Sequence, residues 1–238
     1  MRGKTKILAV VPARGGSQSI PKKNIRPFCG RPLIYYTIDA AKKSGIFDRI
    51  IVSTDSPEIG RASKNFGAEV PFLRPKRLAK DNSNVVDAVS HLLGNLRRKE
   101  NYIPDYVFLL QATSPLRSPK DIIRSWKFYR RHKAKALVSV CQTHHQIFNL
   151  RRGRVKLINK ESRALVNRQE QEPTYRQDGS MIYIIETKYF LAKKNFTPPG
   201  ALGFVVPKWK SVDIDEMEDF ILAEVLYRNR NYFKRFGL

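Results

Sequence analysis

Between Ile7 and Asn24 the chain passes from an apolar run into a turn rich in glycine and cations. Ile7-Leu8-Ala9-Val10-Val11 reads as a buried strand, and Pro12, which has no N–H to give a ladder, ends it. Ala13-Arg14-Gly15-Gly16-Ser17-Gln18-Ser19-Ile20-Pro21-Lys22-Lys23-Asn24 follows. Gly15 and Gly16 let the backbone approach a bound group and take angles closed to other residues. Successive N–H groups in such a turn form an anion-binding concavity, and Arg14, Lys22 and Lys23 add positive charge. These types suit a phosphate cradle at the carboxyl end of a first strand. The turn lacks the Gly-x-Gly-x-x-Gly of dinucleotide folds and the Gly-Lys-Ser/Thr ending of a P-loop. An ordinary turn followed by a solvated basic segment is therefore the alternative.

Near the other end, Asp213 and Asp215 flank Ile214. In extended backbone the two-residue period puts both carboxylates on one face. Two hard oxygen ligands suit Mg²⁺, which is held by one or two carboxylates plus substrate phosphates. The competing reading is a helix start, with Asp215 as cap ahead of Glu216 and Glu218. Arg14 and Lys23 bring the cations that would neutralise charge developing on a bound anion. His144 and His145 invite a metal reading, but neighbours on a strand point to opposite faces and do not chelate one ion. Cys29 and Cys141 have no His–carboxylate setting in the sequence and read as packed thiols.

The elements that must position these residues follow from periodicity. Leu33 to Ser44 has a helical period, with Pro32 suited to its first turn and Gly45 to its stop. Arg49 to Ser53 is a second strand, and Pro57 to Phe66 a helix closed by Gly67. Val85 to Leu96 is an amphipathic helix. Tyr106 to Leu110 is the most strand-like run, and the polar stretch Gln111 to Arg117 leaves it directly. Ile122 to Tyr129 is helical, starting from Ser118-Pro119, and Ala136 to Val140 is another strand. From 142 to 176 the pattern loosens, with Gly153 suited to a hairpin turn. Strands return at Gly179 to Ile185 and Ala201 to Val206, and Glu216 to Arg228 closes the chain as a helix. Alternating strands and helices predict a three-layer α/β fold with a mainly parallel, twisted sheet covered on both faces.

At 238 residues and 42% hydrophobic, the chain is sized for one packed domain spanning 1–238. No apolar run approaches the ~18 residues of a membrane span. The basic start, Met1 to Lys6, precedes too short an apolar run for a signal peptide. Two cysteines make neither a disulfide scaffold nor a four-ligand zinc site, so a reducing cytoplasm is the expected location. Lys plus Arg is 45 against 21 for Asp plus Glu, a net charge of +24. That excess admits nucleic-acid binding, but it is scattered rather than confined to one block. A basic surface that attracts small anions accounts for it equally well.

Taken together, the blocks are more specific than any one of them. Ala13 to Ser17 with Pro21, Lys23 and Asn24 resembles the signature loop of the acylneuraminate cytidylyltransferases, the CMP-sialic acid synthetase family. The resemblance continues through Gly30-Arg31-Pro32-Leu33-Ile34, Val52-Ser53-Thr54-Asp55, Gln111-Ala112-Thr113-Ser114-Pro115-Leu116-Arg117 and Val212-Asp213-Ile214-Asp215, in the family's order. It implies a nucleotide-diphospho-sugar transferase-like fold and activation of a nonulosonic acid with CTP, giving CMP-sugar and pyrophosphate. It also implies that Asp213 and Asp215 hold Mg²⁺ on the triphosphate, with Asn24 near the nucleotide. Arg74 then helps hold the cytidine nucleotide, and Gln111 contacts the sugar acid. Arg176 is a further candidate for the substrate carboxylate. In the family the 142–176 region carries the dimerisation element, so a homodimer is expected.

Two positions depart from the pattern. Gln18-Ser19 stands where the family usually has Lys-Gly, and Phe148 where many members carry a lysine after paired histidines. The alternatives that remain are another sugar cytidylyltransferase, acting on the eight-carbon acid of lipopolysaccharide, and a basic nucleic-acid-binding protein.

Overall fold

The computed structural model describes residues 4–143, 148–157, 173–177 and 181–235. Its spine is the strand β1 (Ile7–Pro12), paired in parallel with β4 (Arg49–Ser53) on one side and β5 (Tyr106–Leu109) on the other. Beyond β5 lie β10 (Tyr183–Glu186), β6 (Ala136–Thr143) and β11 (Leu202–Val205). β10 runs antiparallel to both neighbours, whereas β11 is parallel to β6. The sheet is thus mainly parallel, as expected, with one reversed strand inserted in its middle.

Period-two alternation explains the layers. Ala9 and Val11 join a cluster with Ile34, Ile38, Phe108 and Ile122 on one face. Leu8 and Val10 join Val89, Leu92, Leu96 and Leu109 on the other. Both faces are covered, so the strand reads as an unbroken apolar run. The first cluster packs α1 (Leu33–Ser44), α2 (Pro57–Asn65) and α4 (Pro119–His132). The second packs α3 (Val85–Glu100) and α5 (Thr187–Lys193). A third, smaller cluster joins the short hairpin of β2 (Pro27–Phe28) and β3 (Arg31–Pro32) to α6 (Met217–Arg228). Ile20, Phe28, Ile214 and Phe220 are all buried within it. A last short helix, α7 (Arg230–Arg235), follows.

Local signals set the helix ends. Ser56 and Asn84 accept from backbone N–H groups at the starts of α2 and α3. Ser118 and Asp121 form a capping box at α4. Gly45 ends α1 with φ of 66°. Pro32 does not enter the first turn of α1 as expected. It is the flanking residue, because its φ and ψ are spent pairing with Pro27 across the hairpin.

In the 142–176 stretch, β7 (Phe148–Arg151) and β8 (Arg154–Leu157) form the expected hairpin, with Arg152 and Gly153 both at positive φ. The stretch is not wholly outside the sheet. β6 runs on to Thr143, and β9 (Thr174–Arg176) pairs antiparallel with Cys141 to Thr143. His144 and His145 lie outside the described residues. Among the described residues no helix is long and apolar enough to cross a membrane.

Phe108 is fully buried at the centre of the sheet, edge-on to Phe47 and tilted against Trp126. Phe108→Ala is expected to lose roughly 3–5 kcal/mol in urea unfolding, from lost transfer energy plus the cavity left behind.

Candidate active site

Because β1, β4 and β5 are parallel, their carboxyl ends emerge on one edge. The glycine turn leaves β1 there, anchored by Ala13 N–H donating to Ser53 O at 3.0 Å. Neither Gly15 nor Gly16 takes a positive φ. The left-handed residue of this stretch is Lys22, at φ 53°. Space is tight at Gly15 instead: a Cβ there meets Ser56 Cβ at 3.0 Å, whereas one at Gly16 meets nothing within 4 Å. Gly15 N–H donates to Asp55 Oδ1 at 2.9 Å, so that donor is spent inside the protein. Asn24 Nδ2 donates to Arg14 O at 3.0 Å and holds the turn's shape from behind.

The second polar turn leaves β5. It is built around Arg117, 3% exposed, whose guanidinium donates to Met181 O, Thr37 Oγ1 and Gln111 O at 2.5, 3.0 and 2.7 Å. Burial pulls this group down to about 9, against the opposing carboxylates of Asp121 and Asp213. Asp121 is itself buried and paired with Lys210 Nζ at 2.8 Å. The turn is thereby fixed, and Thr113 O accepts from Ile214 N–H at 3.0 Å.

That last contact brings in the acid pair. Ile214 is fully buried, and its carbonyl accepts from Lys23 Nζ at 2.7 Å. The same ammonium reaches Asp215 O at 3.2 Å and lies 3.8 Å from Asp215 Oδ1. Asp215 is not the helix cap. Glu216 holds that position, and Asp219 accepts from the N–H groups of both Asp215 and Glu216.

The three segments enclose a cleft of ≈ 440 Å³, within the range of small-molecule sites. Its fourth wall is the segment between Arg74 and Val85. Arg74 is buried, donates its N–H to Thr54 O, and lies 3.9 Å from Asp55 Oδ1. Burial pushes its guanidinium below the usual arginine range; Asp55 opposes this, and the Arg14 charge adds to it. Arg14, Lys23, Arg74 and Lys80 face Asp81 and Asp215 across the cleft, an excess of positive charge that suits a polyanion.

Comparison with known proteins decides the family. The cytidylyltransferase family model matches residues 8–234. The chain belongs to the cytidylyltransferase family. It is 33% identical to a pseudaminic acid cytidylyltransferase of Campylobacter jejuni, over 94% of this chain and 97% of that protein. It is 35% identical to a CMP-N,N'-diacetyllegionaminic acid synthase of Legionella pneumophila, over 93% and 96%. It is 32% identical to an N-acylneuraminate cytidylyltransferase of Escherichia coli, over 96% of this chain and 54% of that longer protein. Among solved structures it resembles CMP:2-keto-3-deoxy-manno-octonic acid synthetase complexed with CTP. That likeness has a TM-score of 0.67 at 17% identity, covering 95% of this chain and 100% of the other. A 4-diphosphocytidyl-2C-methyl-D-erythritol synthase of Anaerococcus prevotii gives a TM-score of 0.63 at 14% identity, covering 94% and 99%. At such identities the structures show a shared fold.

In this cytidylyltransferase, Arg14, Ser17, Lys23, Asn24, Arg74, Gln111 and Asp215 all line the one cleft. Ala13 is buried behind it. Asp213 stands one residue behind buried Ile214, near Arg117. Arg176 is not brought to the cleft wall; it sits on β9 in register with Cys141. Sequence reasoning assigned no role to Asp55, Asp81, Thr113 or Arg117. Asp55, Thr113 and Arg117 lie inside the motif blocks, in the turns that leave β4 and β5, and that position was the available signal. Arg117→Met leaves the carbonyls of Met181 and Gln111 and the Thr37 hydroxyl without their buried donor. It is expected to lose about 3–5 kcal/mol in urea unfolding, and Arg117→Lys, which keeps the charge but not the fork, about 1–3 kcal/mol.

Proposed function

We propose that this cytidylyltransferase activates a nonulosonic acid with CTP, releasing pyrophosphate and giving the CMP-sugar. The observation that carries the reading is the convergence at Lys23. Its ammonium joins the glycine turn to the acid segment 191 residues away, beside a cationic cleft large enough for a nucleotide. The relatives at 32–35% identity, named for pseudaminic, legionaminic and N-acylneuraminic acids, supply the sugar class.

In the reaction a sugar hydroxyl attacks the α-phosphorus. The new O–P bond forms as the bond from the α-phosphorus to the bridging oxygen breaks, and the hydroxyl proton passes to solvent. Arg14, and Lys23 from the far side of the turn, stabilise the charge gathering on the departing pyrophosphate. Arg74 and Asn24 shape the nucleotide wall, and Gln111 faces the sugar acid. Much of the catalysis is then positioning and electrostatics.

The donor set fits Mg²⁺. Asp215 is 79% exposed at the cleft, and Asp213, two residues earlier on the same non-helical segment, lies behind it toward Arg117. Two carboxylates completed by substrate phosphate is a magnesium pattern rather than a protein cage. Mg²⁺ held by Asp213 and Asp215 supplies Lewis-acid polarisation of the triphosphate when bound. The β7–β8 hairpin, paired only with itself among the described residues and carrying exposed Leu150, supports the homodimer reading.

Incubation with CTP, Mg²⁺ and each of sialic, legionaminic and pseudaminic acid is expected to yield CMP-sugar and pyrophosphate from at least one. Product from the eight-carbon acid alone, or from none, overturns the assignment. Asp213→Asn and Asp215→Asn are each expected to abolish turnover with the circular-dichroism spectrum unchanged. Arg14→Ala is expected to lower kcat by about 10²–10³, the scale of one lost transition-state donor. Sedimentation of the purified chain is expected to give twice the monomer mass.

A further inference from the structure

Two side chains of the glycine turn end on one carboxylate. Arg14 Nη1 donates to Asp81 Oδ1, and Gln18 Nε2 donates to Asp81 Oδ2 at 2.6 Å. Both oxygens of Asp81 are thus engaged from the opposite wall of the cleft, across 67 and 63 residues of sequence. The position of Asp81 is built rather than incidental. Ser83 Oγ accepts from Lys80 N–H at 3.0 Å and donates to Arg77 O at 3.1 Å, and Ser83 N–H donates to Lys80 O at 3.0 Å. This closes a tight turn that presents Asp81 to the cleft. Gln18 is one of the residues that depart from the resembled family's pattern, and here it has a partner.

We propose that Asp81 competes with the phosphates of the nucleotide for Arg14 and Gln18, and so sets how tightly polyphosphate is held and how readily pyrophosphate leaves. This rests on the reading of the cleft as a triphosphate site. The chemistry is an exchange of anions on shared donors. Arg14 meets Asp81 through Nη1, as Gln18 does through Nε2, and a phosphate drawn to those same N–H groups must displace the carboxylate that holds them. Phosphate must displace a carboxylate already bonded through both oxygens, which weakens its apparent affinity. When the anhydride breaks, Asp81 takes the donors back, and pyrophosphate departs from a cleft that no longer offers them free. Gln18, a neutral donor in place of the family's lysine, binds carboxylate and phosphate alike without adding charge that retains the product.

The test is calorimetric titration of inorganic pyrophosphate, with Mg²⁺ present, into wild type and Asp81→Asn. Asp81 is 52% exposed, so the variant is expected to fold. Pyrophosphate is expected to bind about tenfold more tightly to Asp81→Asn, the size of one charge-assisted hydrogen bond released from competition. Cytidine, which carries no phosphate, is expected to bind both proteins equally. In an Arg14→Gln background the gain from Asp81→Asn is expected to shrink to the smaller part that runs through Gln18. Unchanged or weaker pyrophosphate binding by Asp81→Asn overturns the proposal, as does an equal gain without Arg14. Wild-type protein that binds neither CTP nor pyrophosphate overturns the triphosphate reading with it. Wild type that binds both, with no gain in the variant, overturns the competition alone.

Discussion

The site depends on where one residue, Ile214, is held. Its side chain is buried in the small cluster under α6, its N–H is bonded to the turn after β5, and its carbonyl to the ammonium of Lys23. Lys23 is only 12% exposed, and an ammonium so far withdrawn from water needs acceptors. The main-chain oxygens of Ile214 and Asp215 supply them. The bond therefore serves both partners: it satisfies a largely buried cation and fixes the backbone between two carboxylates. Asp215 needs no packing of its own, which leaves it exposed to the cleft and available to a ligand.

Behind this lies a second constraint. Arg117 and the pair Lys210–Asp121 place charge in the interior, next to Asp213. Replacing such charges by apolar side chains is often neutral or stabilising, so net stability is a poor reason for them. Their effect is geometric. A guanidinium with three fixed acceptors allows the Gln111 to Arg117 turn one conformation, and Thr113 is part of that turn. The fold's interior charge thus specifies the position of an acid segment that lies about a hundred residues further along.

The sequence made strands, turns and most helix ends legible because they rest on local physics: apolar period, glycine stops and side-chain caps. The glycine turn and the acid pair could be read from residue types and spacing. The reason for Gly15 could not. Its near contact with Ser56 is tertiary, and conformational freedom was the only argument the chain itself offered. The reversal of β10 was equally hidden, since an apolar run carries no sign of direction. Arg117 and Asp81 were passed over for opposite reasons. An arginine in a polar turn gives no signal of burial, and an aspartate in a loop gives no signal of two donors waiting across a cleft.

The net charge of +24 is explained better by the helices than by the cleft. Basic residues fill the last turns of α1, α2, α3, α4, α5 and α6, including the clusters Arg97-Arg98-Lys99 and Arg130-Arg131. There they face the negative end of the helix dipole, where a cation is favoured. β1, β4 and β5 run parallel, and so does β6, two antiparallel steps from β5. The helices α1, α3 and α4 that lead back to these strands run against them. Their carboxyl ends consequently lie on the edge of the sheet opposite the cleft. A nucleic-acid surface calls for a continuous basic face along a groove, and helix polarity distributes this charge differently. What reaches substrate is the smaller excess at the cleft itself, where Arg14, Lys23, Arg74 and Lys80 outnumber two carboxylates.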